Sequence, residues 1–273
     1  MSDAPIGIFD SGMGGLTVLS ALMAKLTSES FVYLGDTARL PYGTKSADTV
    51  TRYAVQASRA LVRRKVKLVV VACNTVSAVA LPALAQVLAP MPVVGVIDPG
   101  AQAAVAAAGG GMIAVIGTEG TVNGGAYLRA IHARAPDIEV VQLACPLFVP
   151  LAEEGLIDGD IAEQVARHYL TPFFVRARPA VLVLGCTHYP VLAPMLETVV
   201  ARLGHSPVLV DSAATTADAV ARLLAERHLA CRAPSPAANV FLATDSAERF
   251  ARVGKLFLGF PPPNVELVEL QEG

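Results

Sequence analysis

Three signals that would mark common functional classes are missing from this 273-residue chain. Neither sign of charge is in excess. Lys and Arg number 21 against 23 Asp and Glu, and a net charge of −2 leaves no overall basic footprint for nucleic acid. The one local cluster, Arg63-Arg64-Lys65, reads as the end of a helix, where cations suit the dipole. No clean apolar run reaches the roughly 20 residues of a membrane span. Mean hydropathy is high, at +0.53, and residues 68–97 carry no charge, but Asn74, Thr75, Ser77, Pro82, Gln86, Pro90 and Pro92 interrupt that stretch. The four cysteines, at 73, 145, 186 and 231, form no CxxC pair. That excludes a disulfide framework or zinc ribbon and fits free thiols in a reducing cytoplasm. A basic leader with a cleavage pattern is also lacking before the first strand at Ile6, so no signal peptide is expected.

What is present is a well-filled core, with 53% hydrophobic and 16% charged residues. Short β-branched runs alternate with helical patterns, which predicts parallel sheets covered by helices. Strands are expected at 6–9, 31–34, 68–72, 92–96, 112–116, 138–143, 181–184, 208–210, 239–243 and 264–270. Helices are expected at 16–26, 48–65, 76–88, 216–228 and 247–256, with another ending near Arg176 and one after Cys186 running to Leu203. The chain also resembles itself. IGIFDSGMGGLTVL parallels IAVIGTEGTVNGGAYL, and ACNT parallels GCTH. Phe9 and Ile116 are 107 residues apart, Cys73 and Cys186 are 113 apart, and loop insertions absorb the difference. The expectation is an α/β fold of two pseudo-symmetric lobes, each a mainly parallel sheet flanked by helices, with an active site in the cleft between them.

The matched stretches VVVACNTVSA and VLVLGCTHYP each end a buried strand in a cysteine just before a helix start. Open α/β sheets keep their ligand sites at that place, and helix N-termini favour thiolate. Two thiols on opposite sides of a cleft suit a reaction that takes a proton from one face of a carbon and returns one to the other. Taken singly, Cys73 or Cys186 reads as a small buried hydrophobe; their matched placement favours chemistry. His188 and Asp10 stand ready to manage protons. Asp10-Ser11-Gly12-Met13-Gly14-Gly15 can cradle an anion, or serve as a plain tight turn. A dinucleotide loop is the rival reading, with Asp36 as the ribose acid, but GxGxxG is incomplete. Ser11, Asn74, Thr75 and Thr187 can cap helices or bind ligand. Pro41-Tyr42-Gly43 can line a pocket or shape a loop, and Glu153 or Glu154 can reach the cleft or stay solvated. A metal held by Cys73, Cys186 and His188 lacks closely spaced ligand pairs, so no metal is expected. Cys145 and Cys231 read as structural.

Seven motifs in register, IGIFDSGMGGLTVL, YLGDTARLPYGTKS, ACNTVSA, GVIDPG, GTEGTVNGGAY, CPLFVPLAEEG and GCTHYP, resemble the glutamate racemases of the Asp/Glu racemase superfamily. The resemblance implies cofactor-independent interconversion of L- and D-glutamate, supplying D-glutamate for peptidoglycan. It assigns Cys73 and Cys186 as the two acid/base residues, tuned by Asp10, His188 and a glutamate of PLAEEG, taken as Glu153, with Asp36 in support. Substrate contacts carried over from the family fall on Asp10, Ser11, Pro41, Tyr42, Gly43, Asn74, Thr75, Thr187 and His188, with Thr118 and Thr121 toward the side-chain carboxylate. The implied division is 1–97 plus 211–273 for the first lobe and 98–210 for the second, with a homodimer in the cytoplasm as the expected assembly.

Overall fold

The computed structural model describes residues 3–231 and 239–271; residues 1–2, 232–238 and 272–273, assigned above to the first lobe, lie outside them. Among the described residues the chain forms two parallel sheets. The first contains β1 (Ile6–Asp10), β2 (Phe31–Gly35), β3 (Leu68–Val71), β4 (Val93–Gly95), β9 (Val240–Ala243) and β10 (Glu266–Leu267), in the order β10-β9-β2-β1-β3-β4. The second contains β5 (Ile113–Gly117), β6 (Val140–Ala144), β7 (Val181–Gly185) and β8 (Val208–Asp211), in the order β6-β5-β7-β8. The order 2-1-3-4 in one sheet is repeated as 6-5-7-8 in the other. Register repeats too: Ile6 pairs with Leu68, and Ile113 with Val181.

Both faces of each central strand are buried, so the strands read as continuous apolar runs. Ile6, Ile8, Leu68 and Val70 face α1 (Leu16–Lys25) and the tail helices, while Phe9, Val69 and Val71 face α2 (Ala47–Arg63), α3 (Asn74–Val79) and α4 (Leu81–Leu88). In the second sheet Ile113, Val115, Val181 and Val183 face α5 (Ile97–Ala108) and α7 (Ala126–His132); α6 (Glu119–Asn123) follows β5 directly. Ile116, Leu182 and Leu184 face α8 (Phe148–Glu153), α9 (Gly159–Phe174) and α10 (Ala193–Arg202). After β8 the chain returns to the first sheet, where α11 (Ser212–Glu226) and α12 (Ala247–Leu258) share a core with α1. Among the described residues, no helix is long and apolar enough to cross a membrane.

Helices α5, α6 and α7 have no counterpart among the expected helices, and two expected elements take a different form. The helix expected over 76–88 is broken at Ala80, because Pro82 in the first turn of α4 has no N–H to continue the ladder of α3. The last strand shrinks from 264–270 to two residues, following the Pro261-Pro262-Pro263 run and a left-handed Asn264. It holds the outer edge of the sheet with exposed side chains.

At the end of the first sheet away from the cysteines, Lys67 and Glu29 form a buried ion pair, with Leu229 O accepting a second bond from Lys67 Nζ at 2.8 Å. Removing one partner of such a pair leaves a buried charge and costs about 3–5 kcal/mol. Lys67→Met is therefore expected to lower stability by about that amount, measured by urea denaturation, while turnover at the distant cleft stays unchanged.

Candidate active site

The carboxyl ends of the two sheets face each other across a cavity of about 370 Å³. Its wall includes Ser11, Pro41, Tyr42, Gly43, Cys73, Asn74, Thr75, Thr118, Glu153, Cys186, Thr187 and His188. Twelve residues expected from sequence therefore converge on one space, drawn from both sheets. Cys73 follows β3 and is the extended residue that opens α3; Cys186 holds the matching position after β7.

The two thiols have different surroundings. Cys73 Sγ lies 3.4 Å from Ser11 Oγ. Burial, with the Asp10 charge behind it, pushes the Cys73 thiol up to about 12. The expectation that a helix start would bias Cys73 toward thiolate is thus overturned: desolvation outweighs a helix of one and a half turns. Cys186 Sγ instead lies 3.8 Å from His188 Nδ1. On the far side of the ring His188 Nε2 meets Glu153 Oε1 at 3.1 Å, and Glu153 Oε2 accepts from Arg249 Nη2 at 3.0 Å. Burial disfavours a charged imidazole, but the bonds to Cys186 and Glu153 win and lift His188 to about 10. Glu153 is held below its ordinary value, because His188 and Arg249 together outweigh its own burial. Glu154, the neighbour that sequence left open, is exposed.

Asp10, Asp36 and Thr121 are fully buried behind the wall rather than on it. Asp10 Oδ2 accepts from Gly12 N at 3.0 Å and Tyr33 Oη at 3.3 Å, and burial raises its carboxyl. Asp36 accepts from Tyr42 Oη and from Thr244 Oγ1, and pairs with Arg39, so it props the Tyr42 ring from below instead of meeting a ribose. The Thr121 hydroxyl joins those of Thr118, 3.0 Å away, and Thr75, 3.5 Å away, and Thr75 bonds Thr118 at 2.9 Å across the lobes.

Helix capping does not account for the short polar residues after the cysteines. Asn74 and Thr75 lie inside the first turn of α3, whose opening residue is Cys73. Asn74 Oδ1 accepts from Tyr127 Oη at 2.8 Å, and its buried Nδ2 has no partner in the protein. Thr118 does cap, accepting from Thr121 N to open α6. Gly14 and Gly15 form the expected tight turn, closed by Leu16 N donating to Met13 O at 3.1 Å, and they also serve packing. A Cβ at Gly14 would sit 2.3 Å from His188 Nδ1, and one at Gly15 would sit 2.7 Å from Asp10 Cβ. Gly43 O accepts from Gly120 N at 2.9 Å, which seats the 41–44 loop on the second lobe.

Sequence reasoning missed four contributors. Arg249 grips Glu153, Phe257 sets its ring edge-on to His188 at 5.2 Å, Tyr33 donates to Asp10 and Tyr127 orients Asn74. All four come from far away in the chain, and no local pattern marks them. Among the described residues, no cluster of three or more His, Cys, Asp or Glu side chains is placed to hold a metal ion.

The family model for Asp/Glu/Hydantoin racemase matches residues 17–220. The glutamate racemase of Geobacter metallireducens is 49% identical over 267 residues, covering 97% of each chain. The crystal structure of Francisella tularensis glutamate racemase in complex with D-glutamate is 36% identical, covers 100% of both chains and superposes with a TM-score of 0.93. Thermus thermophilus glutamate racemase in complex with beta-chloro-D-alanine is 43% identical over 99% of both chains, with a TM-score of 0.86. This chain belongs to the Asp/Glu/Hydantoin racemase family, among its glutamate racemases.

Proposed function

We propose that this protein interconverts L- and D-glutamate by proton transfer between the substrate α-carbon and two cysteines, without a cofactor. The observation that carries the reading is the arrival of Cys73 and Cys186 from equivalent strands of the two lobes at one cavity. Their unlike surroundings supply the second half of the mechanism. Two-base racemisation needs one sulfur as acid while the other acts as base. Cys73, buried beside Asp10, holds its proton; Cys186 has the His188 imidazole 3.8 Å away to exchange a proton with. In one direction the Cys186 thiolate removes the α-proton and the Cys73 thiol delivers one to the opposite face. The product leaves the sulfurs with their protons exchanged, and the reverse direction starts from that state.

Substrate is held by donors already in place. The unpaired Asn74 Nδ2 and the Ser11 hydroxyl are set to meet the α-carboxylate, where negative charge grows as the carbanion forms. The Thr75 and Thr118 hydroxyls, supported by Thr121, are set to take the side-chain carboxylate. Tyr42, Gly43 and Thr187 complete the enclosure, which keeps water from the carbanion. The D-glutamate formed would feed peptidoglycan synthesis.

Cys73→Ser and Cys186→Ser are each expected to lower racemisation by roughly 10²- to 10⁴-fold, with glutamate affinity by calorimetry nearly unchanged; full turnover in either variant ends the two-thiol scheme. Gly14→Ala drives a methyl into His188 and should cut kcat by about 100-fold in a protein that still melts cooperatively. For His188, the folded value is raised above the ordinary 6.5 to about 10. Its contribution to stability is complete below 6.5 and disappears as pH rises through 10. The stability difference between the wild type and His188→Asn should therefore shrink across that window. The decisive test of the function uses metal-free, pyridoxal-free protein with L-glutamate in D2O. Loss of the α-proton NMR signal with decay of optical rotation to zero is expected. Exchange on aspartate alone would keep the mechanism and change the substrate, and no exchange on either would refute it.

A further inference from the structure

We propose that Arg249 is a positioning residue for the acid/base pair of the opposite lobe: carried on α12 of the first lobe, it fixes the Glu153 carboxylate so that Glu153 holds His188 against Cys186. The inference rests on the reading above, in which Cys186 exchanges a proton with substrate.

Glu153 is the last residue of the six-residue α8, with its side chain only 9% exposed. The terminal torsion of a glutamate is broad, so one hydrogen bond does not set the carboxylate plane. Here the oxygens are divided: Oε1 meets His188 Nε2 and Oε2 meets Arg249 Nη2. Two partners on two oxygens define the plane, and with it the direction of the imidazole. The next carboxylate along, Glu154 Oε1, lies 3.7 Å from the same guanidinium and is far more exposed. Arg249 is thus committed to Glu153. The other titratable groups facing this line are Asp10, which acts on His188 from the first lobe, and Cys186 itself.

The same helix places Phe257 edge-on to His188, while Phe250 anchors α12 in the first-lobe core beside Tyr33. One tail helix therefore bears on both ends of the His188–Glu153 contact. A merely structural role for Arg249 fits poorly. Its side chain is 37% exposed, and an ion pair that open to water contributes little to stability. What it can supply is direction.

The test compares full-length wild type with Arg249→Ala and Arg249→Lys by kcat, KM, thermal midpoint and the ¹⁵N imidazole spectrum of histidine-labelled protein. Glu153→Gln serves as the reference for a His188 that has lost its charged partner. Arg249→Ala should lower kcat roughly 10- to 100-fold, by the scale of other outer-layer partners of reacting groups, with a smaller change in KM and little change in midpoint. Its His188 resonance should move as in Glu153→Gln. Arg249→Lys keeps the charge but loses the planar fork and should fall between. Unchanged kcat, or a drop in kcat with the His188 resonance unmoved, would overturn the proposal. If wild-type protein fails to racemise glutamate, the functional reading falls separately, and the His188 resonance alone decides whether Arg249 positions the pair.

Discussion

Charge can be kept among buried side chains only if each charged group meets a partner, and the line His188–Glu153–Arg249 beside Cys186 is where this protein satisfies that demand. Several features follow from it. His188 needs a place to lie, so Gly14 carries no side chain. Its ring needs a fixed tilt, which Phe257 supplies. Glu153 needs a second cation, so the tail of the chain must return past the first lobe to deliver Arg249. The return of α12 to the first lobe thereby brings Arg249 and Phe257 to this line as well as filling the core.

Against that line stands Cys73, whose nearest polar neighbours are the Ser11 hydroxyl and, behind it, a buried carboxylate. The two lobes share strand order and register, so backbone placement of the sulfurs is symmetric. Electrostatics break the symmetry. An imidazole stands beside one sulfur and a carboxyl group behind the other, so the same residue type sits in two unlike environments. The repeated topology sets two equivalent sites face to face, and their surroundings differ.

Much of this was legible in the chain. Apolar runs buried on both faces marked the central strands, and the offsets of 107 and 113 residues reappear in the pairing of β1 with β3 and of β5 with β7. Strands ending in Cys-polar-Thr and Cys-Thr-His located the cleft, since ligand sites of such sheets lie at the carboxyl ends. Local pattern failed where backbone chemistry intervened, as at Pro82, which split one helix in two. It failed again at the tail strand, whose alternation met only one neighbour at a sheet edge. The thiolate bias expected at Cys73 also failed, because a helix start is visible in sequence and desolvation is not.

By itself, then, the sequence determined the two sheets, their repetition, the pair of cysteines and most of the residues around them. All of these depend on periodicity and on residues within a few positions of each other. Tertiary structure alone decided that Glu153 and not Glu154 meets His188, that Asp10, Asp36 and Thr121 stand behind the wall, and that Arg249 completes the line. Those outcomes turn on which side chains meet across 23 to 208 residues of chain, and on how much water each keeps. Neither quantity is written in local pattern, because both are set only when the lobes close on each other.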